Sequence, residues 1–376
     1  MKYRTMGKLG IQSSAFGLGC MRFNGAPSGD SVIDEEKAIA LIRQAIDGGV
    51  TYIDTAYVYL DKTSETVLGK ALRDGYREKV TIATKMPLPA VHDRASMEAL
   101  LEEELEKLQT DHVDFYLMHG IDKEEWEQFK AIGAPEFFDD MKKAGKIRYK
   151  CFSFHGPYEE FAYILNDWDW DMCQIQYNFM DVNNQAGTKG LELAGSKGIP
   201  VVIMEGLLGG RLSRAPENVQ ALYDAFPVKR SPVEWAFRWL CDHPEVSVVL
   251  SGCNEPEQIE ENLRIFDTVE PGIMNEAERK LMEEVRAAYL SRTKIGCTGC
   301  KYCMPCPNGV NIPAIFSVWN SVSLYQIDPE KDWGFRRIRQ NDAGADRCVG
   351  CGACEAACPQ GLSIIEKLQE AWEALN

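Results

Sequence analysis

Short runs of β-branched and aromatic residues alternate along most of the chain with longer segments of helical periodicity. The short runs predict strands at residues 15–21, 51–56, 80–85, 112–118, 147–154, 172–177, 199–204 and 246–250. The longer segments predict helices at residues 34–47, 64–73, 96–108, 135–144, 158–165, 188–197, 231–241 and 256–266. Eight strand–helix pairs in about 250 residues match the size and repeat number of a TIM (β/α)8 barrel. A short hairpin is predicted before them, within residues 2–14.

Three consecutive predicted strands deliver ionisable side chains at their C-terminal ends. The first carries Asp54 and is followed by Tyr59, the second ends at Lys85, and the third is followed by His119. In a barrel these strand ends meet at the face where active sites form. A doubly wound sheet would instead collect such groups at one switch point. The pattern therefore favours an α/β protein with a TIM barrel over the doubly wound alternative.

The composition changes sharply after a predicted helix at about 276–291, and cysteine, glycine and proline become frequent from residue 294. We therefore predict two domains, a barrel over residues 1–290 and a small, mostly helical domain over 291–376. Three loops of the barrel, 22–33, 120–134 and 211–230, are expected to set substrate choice and carry no recognisable code.

Eight of the 13 cysteines form two runs in the C-terminal region, and each run ends in Cys-Pro. The second run has the spacing Cys-x2-Cys-x2-Cys-x3-Cys-Pro, which is the bacterial ferredoxin motif, whose fourth cysteine ligates the other cluster. The spacing thus predicts one [4Fe–4S] cluster on Cys297, Cys300, Cys303 and Cys358. It predicts a second on Cys348, Cys351, Cys354 and Cys306. Zinc is the alternative for paired Cys-x2-Cys motifs, but eight cysteines in this order favour iron. The spacer between the runs is expected to be helical.

The net charge of −16 argues against a nucleic-acid partner, because phosphate binding requires clustered Lys and Arg. We find no apolar run of the ~20 residues that a membrane helix needs, so no membrane association is expected. The first residues, 1–7, lack the apolar core of a signal peptide. We therefore expect a cytoplasmic protein whose cysteines bind metal and do not form disulfides.

The four ionisable groups of the barrel suit the reversible reduction of a carbonyl group. Tyr59 is the candidate proton donor, and an adjacent Lys85 ammonium is expected to lower the pKa of its phenol. Asp54 would keep Lys85 charged and oriented, and His119 would donate a hydrogen bond to the substrate oxygen. Each of these residues taken alone is more often structural, and their joint placement on neighbouring strands supports the catalytic interpretation.

Three segments that contain these residues, 53–59, 83–85 and 116–119, resemble the active-site segments of the aldo-keto reductases. The resemblance extends over roughly residues 1–290 and includes all four members of that family's catalytic tetrad, Asp54, Tyr59, Lys85 and His119. It implies a TIM barrel that binds NAD or NADP without a Rossmann domain and acts on a small carbonyl compound.

The resemblance also implies a cofactor site along the same face. Asp54 borders it, Gly19 and Cys20 match the loop under the nicotinamide, and Ser153 and Gln174 match the residues that bind its carboxamide. Met204 matches the residue that stacks on the nicotinamide. Leu207, Gly209 and Arg211 match the pyrophosphate loop. The adenosine site is matched by Ser251, Gly252, Gln258, Glu261 and Asn262. Relatives that prefer NADP carry Lys and Arg at the positions of Gly252 and Gln258. The preference for NAD or NADP therefore stays open.

Two functions are compatible with this combination of domains. Nicotinamides transfer two electrons as hydride and each cluster transfers one, so direct coupling needs a converter such as a flavin, for which we see no motif. In the favoured hypothesis the barrel reduces a carbonyl, and the clusters are structural or serve a redox-protein partner. In the alternative, the chain is an iron–sulfur electron-transfer or redox-sensing protein that uses the barrel as a nucleotide-binding docking module.

Overall fold

The computed structural model describes residues 1–23 and 33–376. Their strands are β1 (Tyr3–Thr5), β2 (Gln12–Ser14), β3 (Phe16–Gly19), β4 (Tyr52–Asp54), β5 (Thr81–Met86), β6 (Val113–Met118), β7 (Ile147–Phe154), β8 (Met172–Gln176), β9 (Val201–Met204) and β10 (Val246–Ser251). The α-helices are α1 (Glu35–Asp47), α2 (Ser64–Ala71), α3 (Arg94–Leu108), α4 (Lys123–Ala131), α5 (Ala134–Lys143), α6 (Tyr158–Asp167), α7 (Gly187–Ser196), α8 (Glu217–Ala225), α9 (Pro232–Asp242), α10 (Pro256–Phe266), α11 (Glu276–Leu290), α12 (Ile312–Tyr325), α13 (Trp333–Gln340), α14 (Ala353–Ala357) and α15 (Ile364–Leu375).

Strands β3 to β10 form a closed barrel in which each strand lies beside its sequence neighbours. All neighbouring pairs are parallel, and β10 closes the barrel by pairing with both β9 and β3. Parallel strands joined in this way require a helical crossover between them, which the alternating pattern predicted. The TIM barrel is therefore confirmed, and the doubly wound alternative is excluded. The predicted hairpin is also present, as the antiparallel pair β1–β2.

The hairpin closes the N-terminal end of the barrel. Met6, between β1 and β2, is fully buried in one cluster with the barrel-interior residues Tyr52, Phe115 and Val248. The adjacent Gly7 has a positive φ of 38°, and a side chain there would collide with the backbone carbonyl that precedes β9. Glycine is required at this position because the hairpin approaches the barrel floor so closely.

The helix α3 shows how the termini are determined. We predicted a start at Ser96, but the helix begins two residues earlier and Asp93 is its N-cap. The Asp93 side chain accepts a hydrogen bond from the Ser96 backbone N–H at 2.8 Å. The Ser96 hydroxyl in turn accepts a hydrogen bond from the Asp93 backbone N–H at 3.0 Å. Aspartate and serine both favour the N-cap position, so the sequence alone does not distinguish them. The reciprocal hydrogen bonds of this capping box identify Asp93 as the N-cap.

Two of the predicted loops contain helices. The segment 120–134 holds α4, and 211–230 holds α8. The third loop, 22–33, falls mostly on residues 24–32, outside the described residues.

The described chain divides into two compact units, the first comprising Met1–Gly209 and Val233–Glu276. The second comprises Gly210–Pro232 and Ala277–Asn376, so it includes α8 and α11. Its core is apolar and includes Ile315, Phe316, Phe335, Ile338 and Leu368. Helices α12 and α13 occupy the spacer between the cysteine runs, as predicted. The predicted domain boundary at 290 and 291 stays a prediction.

None of the helices in the described parts of the chain combines the length and apolar character that crossing a membrane requires.

Candidate active site and cysteine centres

Lys85 is the centre of a hydrogen-bonded group at the C-terminal ends of β4 and β5. Its Nζ donates to Asp54 Oδ1 at 2.6 Å, to the Thr55 carbonyl at 2.7 Å and to the Tyr59 hydroxyl at 3.3 Å. Asp54 and Lys85 are both buried, so this ion pair is shielded from solvent. The sequence places the pair here because β4 and β5 are adjacent parallel strands in register.

The protonation of Tyr59 differs from the sequence expectation. Burial raises the pKa of its phenol, and the Lys85 ammonium opposes this rise without cancelling it. For Lys85, burial lowers the ammonium pKa, but Asp54 and Tyr59 raise it by more, so that it ends above its usual value. Near neutral pH the site therefore contains a protonated phenol beside a charged ammonium. The expected lowering effect of Lys85 on the Tyr59 pKa is present, but burial of the phenol in the folded protein outweighs it, so the net shift is upward.

His119 is the fourth group at this face. Its backbone N–H donates to the Met86 carbonyl at 3.0 Å, and its ring contacts that of Tyr59 edge to face, with centroids 5.9 Å apart. Burial, and then the charges of Lys85 and His155, lower the pKa of His119 to about 3. Its Nδ1 is buried and has no hydrogen-bond partner within residues 1–23 and 33–376. The imidazole is thus neutral near pH 7, and its Nδ1 is a buried polar atom without a partner among the described residues.

The predicted carboxamide residues lie on β7 and β8, next to the tetrad. The Gln174 Nε2 donates to Asp54 Oδ2 at 3.3 Å, while its Oε1 is buried with no hydrogen-bond partner in the described ranges. An unsatisfied buried amide oxygen is costly and fits a ligand that donates an N–H. The Ser153 hydroxyl accepts from the Gly120 backbone N–H at 2.8 Å. Cys20 is fully buried, and burial raises the pKa of its thiol.

The segment after β10, predicted to bind adenosine, is shaped by its own side chains. Gln258 Oε1 accepts from the Asn254 backbone N–H at 2.9 Å, and Asn262 Nδ2 donates to Ser251 Oγ at 3.1 Å. Glu255 forms an ion pair with Lys37 of α1 at 2.7 Å. The negative charge of Glu255, which would repel a 2′-phosphate bound at this segment, is therefore partly neutralised.

The pyrophosphate segment after β9 is glycine-rich and has positive φ angles at Leu208, Gly209 and Gly210. Arg211, our predicted phosphate partner, forms an ion pair with Asp332 at 2.8 Å. The remaining predicted cofactor residues lie at or just beyond the ends of β3, β9 and β10, or on α10: Gly19, Met204, Leu207, Gly252 and Glu261.

Arg22 was missed in the sequence. It lies three residues beyond the end of β3, on the same face as the tetrad, and its side chain contacts the positions of Gly209 and Gly252. A cation just past a strand that already carried two predicted site residues was the available signal.

The cysteines of the second unit line two cavities. One, with an empty volume of about 350 Å³, is lined by Cys297, Cys300, Cys303 and Cys358. The other, of about 550 Å³, is lined by Cys303, Cys306, Cys348, Cys351 and Cys354. Each set combines the first three cysteines of one run with the last cysteine of the other, and Cys303 borders both cavities. Within residues 1–23 and 33–376, no three His, Cys, Asp or Glu side chains are arranged to hold a single metal ion.

Comparisons with known proteins agree with both parts of the chain. Residues 15–271 match the model of the aldo/keto reductase family. Residues 296–363 match a 4Fe-4S dicluster domain, in the helical region that holds both cysteine runs.

Individual relatives match more limited parts. The aldo-keto reductase YhdN of Bacillus subtilis is 36% identical over 156 residues, which cover 39% of this chain and 45% of that protein. The match thus spans less than half the length of that relative. The holo form of aldo-keto reductase AKR11C1 from Bacillus halodurans superposes with a TM-score of 0.64 at 25% identity, over 76% of this chain and 96% of that one. An aldo-keto reductase from Klebsiella pneumoniae in complex with NADPH shares the fold, with a TM-score of 0.60 at 22% identity over 76% and 96% of the two chains.

Proposed function

Because this chain belongs to the aldo/keto reductase family, we propose that its barrel reduces a carbonyl group of a small molecule with a nicotinamide dinucleotide. The observation that supports this most directly is the hydrogen-bonded series from Asp54 through Lys85 to Tyr59, with a neutral His119 against the Tyr59 ring. A protonated phenol beside a fixed ammonium is a proton donor whose conjugate base is stabilised where it forms.

Each residue has a defined part in this reaction. Tyr59 donates its proton to the carbonyl oxygen, which becomes the hydroxyl of the product. Lys85 stabilises the phenolate that remains, and Asp54 fixes the ammonium at 2.6 Å. The neutral imidazole of His119 donates a hydrogen bond to the substrate oxygen and orients the carbonyl. Solvent returns the proton to Tyr59, which is only partly buried, after the product leaves.

The nicotinamide, when bound, supplies the two electrons and the hydrogen that reach the carbonyl carbon. The buried, unpaired Gln174 Oε1 fits its carboxamide, and Gly19, Cys20 and Met204 would border the ring. The glycine-rich segment after β9 and the segment after β10 would hold the phosphates and adenosine. We propose that NAD and NADP are both accepted, because Lys37 offsets the charge of Glu255.

The proposed reduction is tested with anaerobically purified protein, NADH or NADPH, and a panel of simple aldehydes and ketones. We expect oxidation of the dinucleotide that depends on the carbonyl compound, with one alcohol formed per dinucleotide consumed. Oxidation that proceeds at the same rate without any carbonyl compound, or that yields no alcohol, would contradict the proposal.

The pH profile of carbonyl reduction should be flat around the usual pKa of histidine. Free histidine titrates at about 6.5, but the pKa of His119 is lowered to about 3, so its ring stays neutral from pH 5 to pH 9. We expect kcat/KM to show no inflection between about pH 5.5 and 7.5. An inflection in this range that disappears in His119→Gln protein would show that the imidazole gains a proton, contrary to this prediction.

We further propose that the second unit binds two [4Fe–4S] clusters, one on Cys297, Cys300, Cys303 and Cys358 and one on Cys306, Cys348, Cys351 and Cys354. The support is the donor set, eight cysteines whose side chains line two cavities in these combinations. Such clusters exchange single electrons. Thiolate ligation also requires reducing conditions, which is the reason we propose a cytoplasmic location.

Four single variants test the ligand assignment. Removing one ligand should destabilise one cluster, so Cys297→Ala and Cys358→Ala proteins should retain the same residual cluster, and Cys306→Ala and Cys351→Ala proteins the other. We expect about four iron atoms per chain in each variant, against about eight in the wild type. Electron paramagnetic resonance after anaerobic reduction measures which cluster remains. Cys151→Ala, which removes a buried barrel thiol, is the control for handling losses. If Cys297→Ala and Cys306→Ala proteins gave identical spectra, each run would hold its own cluster and the assignment would be wrong.

The electron-transfer alternative has one observation in its favour. Cys300 and Cys351, one from each set, are exposed, so each proposed cluster would have an edge near the surface of its unit, where a redox-protein partner could exchange electrons. Reduction of the iron–sulfur absorption by NAD(P)H, without any carbonyl compound, would favour this function over carbonyl reduction.

A further inference from the structure

Arg22 is a cation without an assigned partner at the functional face. It is half-buried, and no carboxylate in residues 1–23 or 33–376 forms an ion pair with it. The chain has 57 acidic and 41 basic residues, so an arginine that lacks an acidic partner is unexpected. Lys85, a second cation of this face, donates hydrogen bonds to Asp54, to the Thr55 carbonyl and to Tyr59.

The Arg22 side chain lies across two loops of the barrel. A methyl group placed on Gly252 would lie 3.2 Å from its Cδ, and one placed on Gly209 would lie 3.4 Å from its Nη2. The aliphatic stem therefore runs along the loop after β10, and the guanidinium reaches the loop after β9. Glycine at both positions leaves room for this path, because a larger residue at either would press on the side chain.

These two loops follow the seventh and eighth strands of the barrel. In TIM barrels the loops after these strands frequently form a phosphate-binding site. Here the loop after β9 makes a turn with positive φ angles at Leu208, Gly209 and Gly210, and backbone N–H groups in turns are one source of anion-binding concavities. The guanidinium thus lies beside a backbone suited to an anion, and its planar fork matches phosphate oxygens.

We propose that Arg22 binds the diphosphate of the nicotinamide dinucleotide. Its guanidinium would contact the diphosphate between the loops after β9 and β10, on the side of the site that faces β3. The inference rests on the proposed dinucleotide binding and goes beyond it by naming the residue whose positive charge binds the diphosphate. Arg211, the sequence-based candidate, is paired with Asp332 at 2.8 Å, whereas no ion pair joins Arg22 to a carboxylate within the described ranges 1–23 and 33–376. The diphosphate is common to NADH and NADPH, so Arg22 contributes equally to the affinity for both.

The test compares dissociation constants of NADH, NADPH and ADP-ribose for wild-type, Arg22→Gln and Arg22→Lys proteins, measured by calorimetry. ADP-ribose keeps the diphosphate and lacks the nicotinamide. We expect Arg22→Gln to weaken all three by a similar factor, about 10- to 100-fold, which is the range of hydrogen bonds to charged groups. Arg22→Lys should recover part of the affinity, because it restores the charge without the fork.

Arg148→Gln is the matched control. It removes the same charge from an exposed arginine near the start of β7, at the opposite end of the barrel, where it pairs with Asp114 at 2.7 Å. Its affinities should equal those of the wild type, and thermal unfolding checks that each variant is folded.

Three results would overturn the assignment. A loss confined to NADPH would place Arg22 at the 2′-phosphate, and Arg22→Gln affinities equal to those of Arg148→Gln would remove Arg22 from the site. In both cases the wild type still binds dinucleotide and the proposed function stands. If the wild type bound none of the three ligands, the proposed function would fail together with this inference.

Discussion

Replacing Tyr59 by phenylalanine is expected to lower kcat for carbonyl reduction by about 10²- to 10⁴-fold, the usual contribution of a positioned proton donor. The substitution removes only the hydroxyl that Lys85 contacts at 3.3 Å, and the ring against His119 remains. Dinucleotide affinity should stay within about twofold of the wild type, because the lost proton transfer belongs to the transition state. Single-turnover rates with saturating dinucleotide measure the effect.

Tyr57→Phe is the control for this variant. It removes a phenol oxygen from a buried ring two residues away. That hydroxyl accepts a hydrogen bond from Lys62 Nζ at 3.1 Å and donates one to Glu103 at 3.3 Å. This change should leave kcat close to that of the wild type. Equal rates for the Tyr59→Phe and Tyr57→Phe proteins would mean that the phenol at position 59 donates no proton in the reaction.

Replacing Lys85 by methionine should both abolish turnover and destabilise the barrel. The ammonium and the Asp54 carboxylate are almost completely inaccessible, at 1% and 3% exposed. Removing one partner leaves the other charge buried without compensation, which costs about 3–5 kcal/mol. The free energy of unfolding, from urea denaturation under anaerobic conditions, measures this loss.

Two further variants make the second prediction specific. Lys85→Met combined with Asp54→Asn removes both charges, so it should recover much of the stability while remaining inactive. Lys79→Met applies the same substitution to an exposed pair with Asp47, and should change stability by less than about 1 kcal/mol. If Lys85→Met were no more destabilising than Lys79→Met, the pair would not be a buried ion pair in solution.

The barrel was predictable because its strands are buried and locally distinct. Each predicted strand is present, and β7 has the predicted bounds, Ile147–Phe154. The two missed helices, α4 and α8, bury only two residues each, Trp126 with Phe129 and Val219 with Tyr223. So few apolar positions in nine residues do not produce a recognisable helical period.

The meeting of Asp54, Tyr59, Lys85 and His119 at one face was predictable for a related reason, since these residues lie in or follow three consecutive strands. The pairing of Arg211 with Asp332 was not, because 121 residues separate them and the sequence does not indicate which carboxylate an arginine will meet. The protonation of Tyr59 depends in the same way on neighbours that only the fold brings together.

The hairpin beneath the barrel has a consequence for the order of events in turnover. In the described part of the chain, Met6 and the packed interior above it fill this end of the barrel, so the face open to ligands is the rim that holds Tyr59. If the proposed function holds, the dinucleotide and the carbonyl compound both enter from this rim. A ligand held deeper under the other would then have to bind first and leave last, and product-inhibition kinetics would test this order.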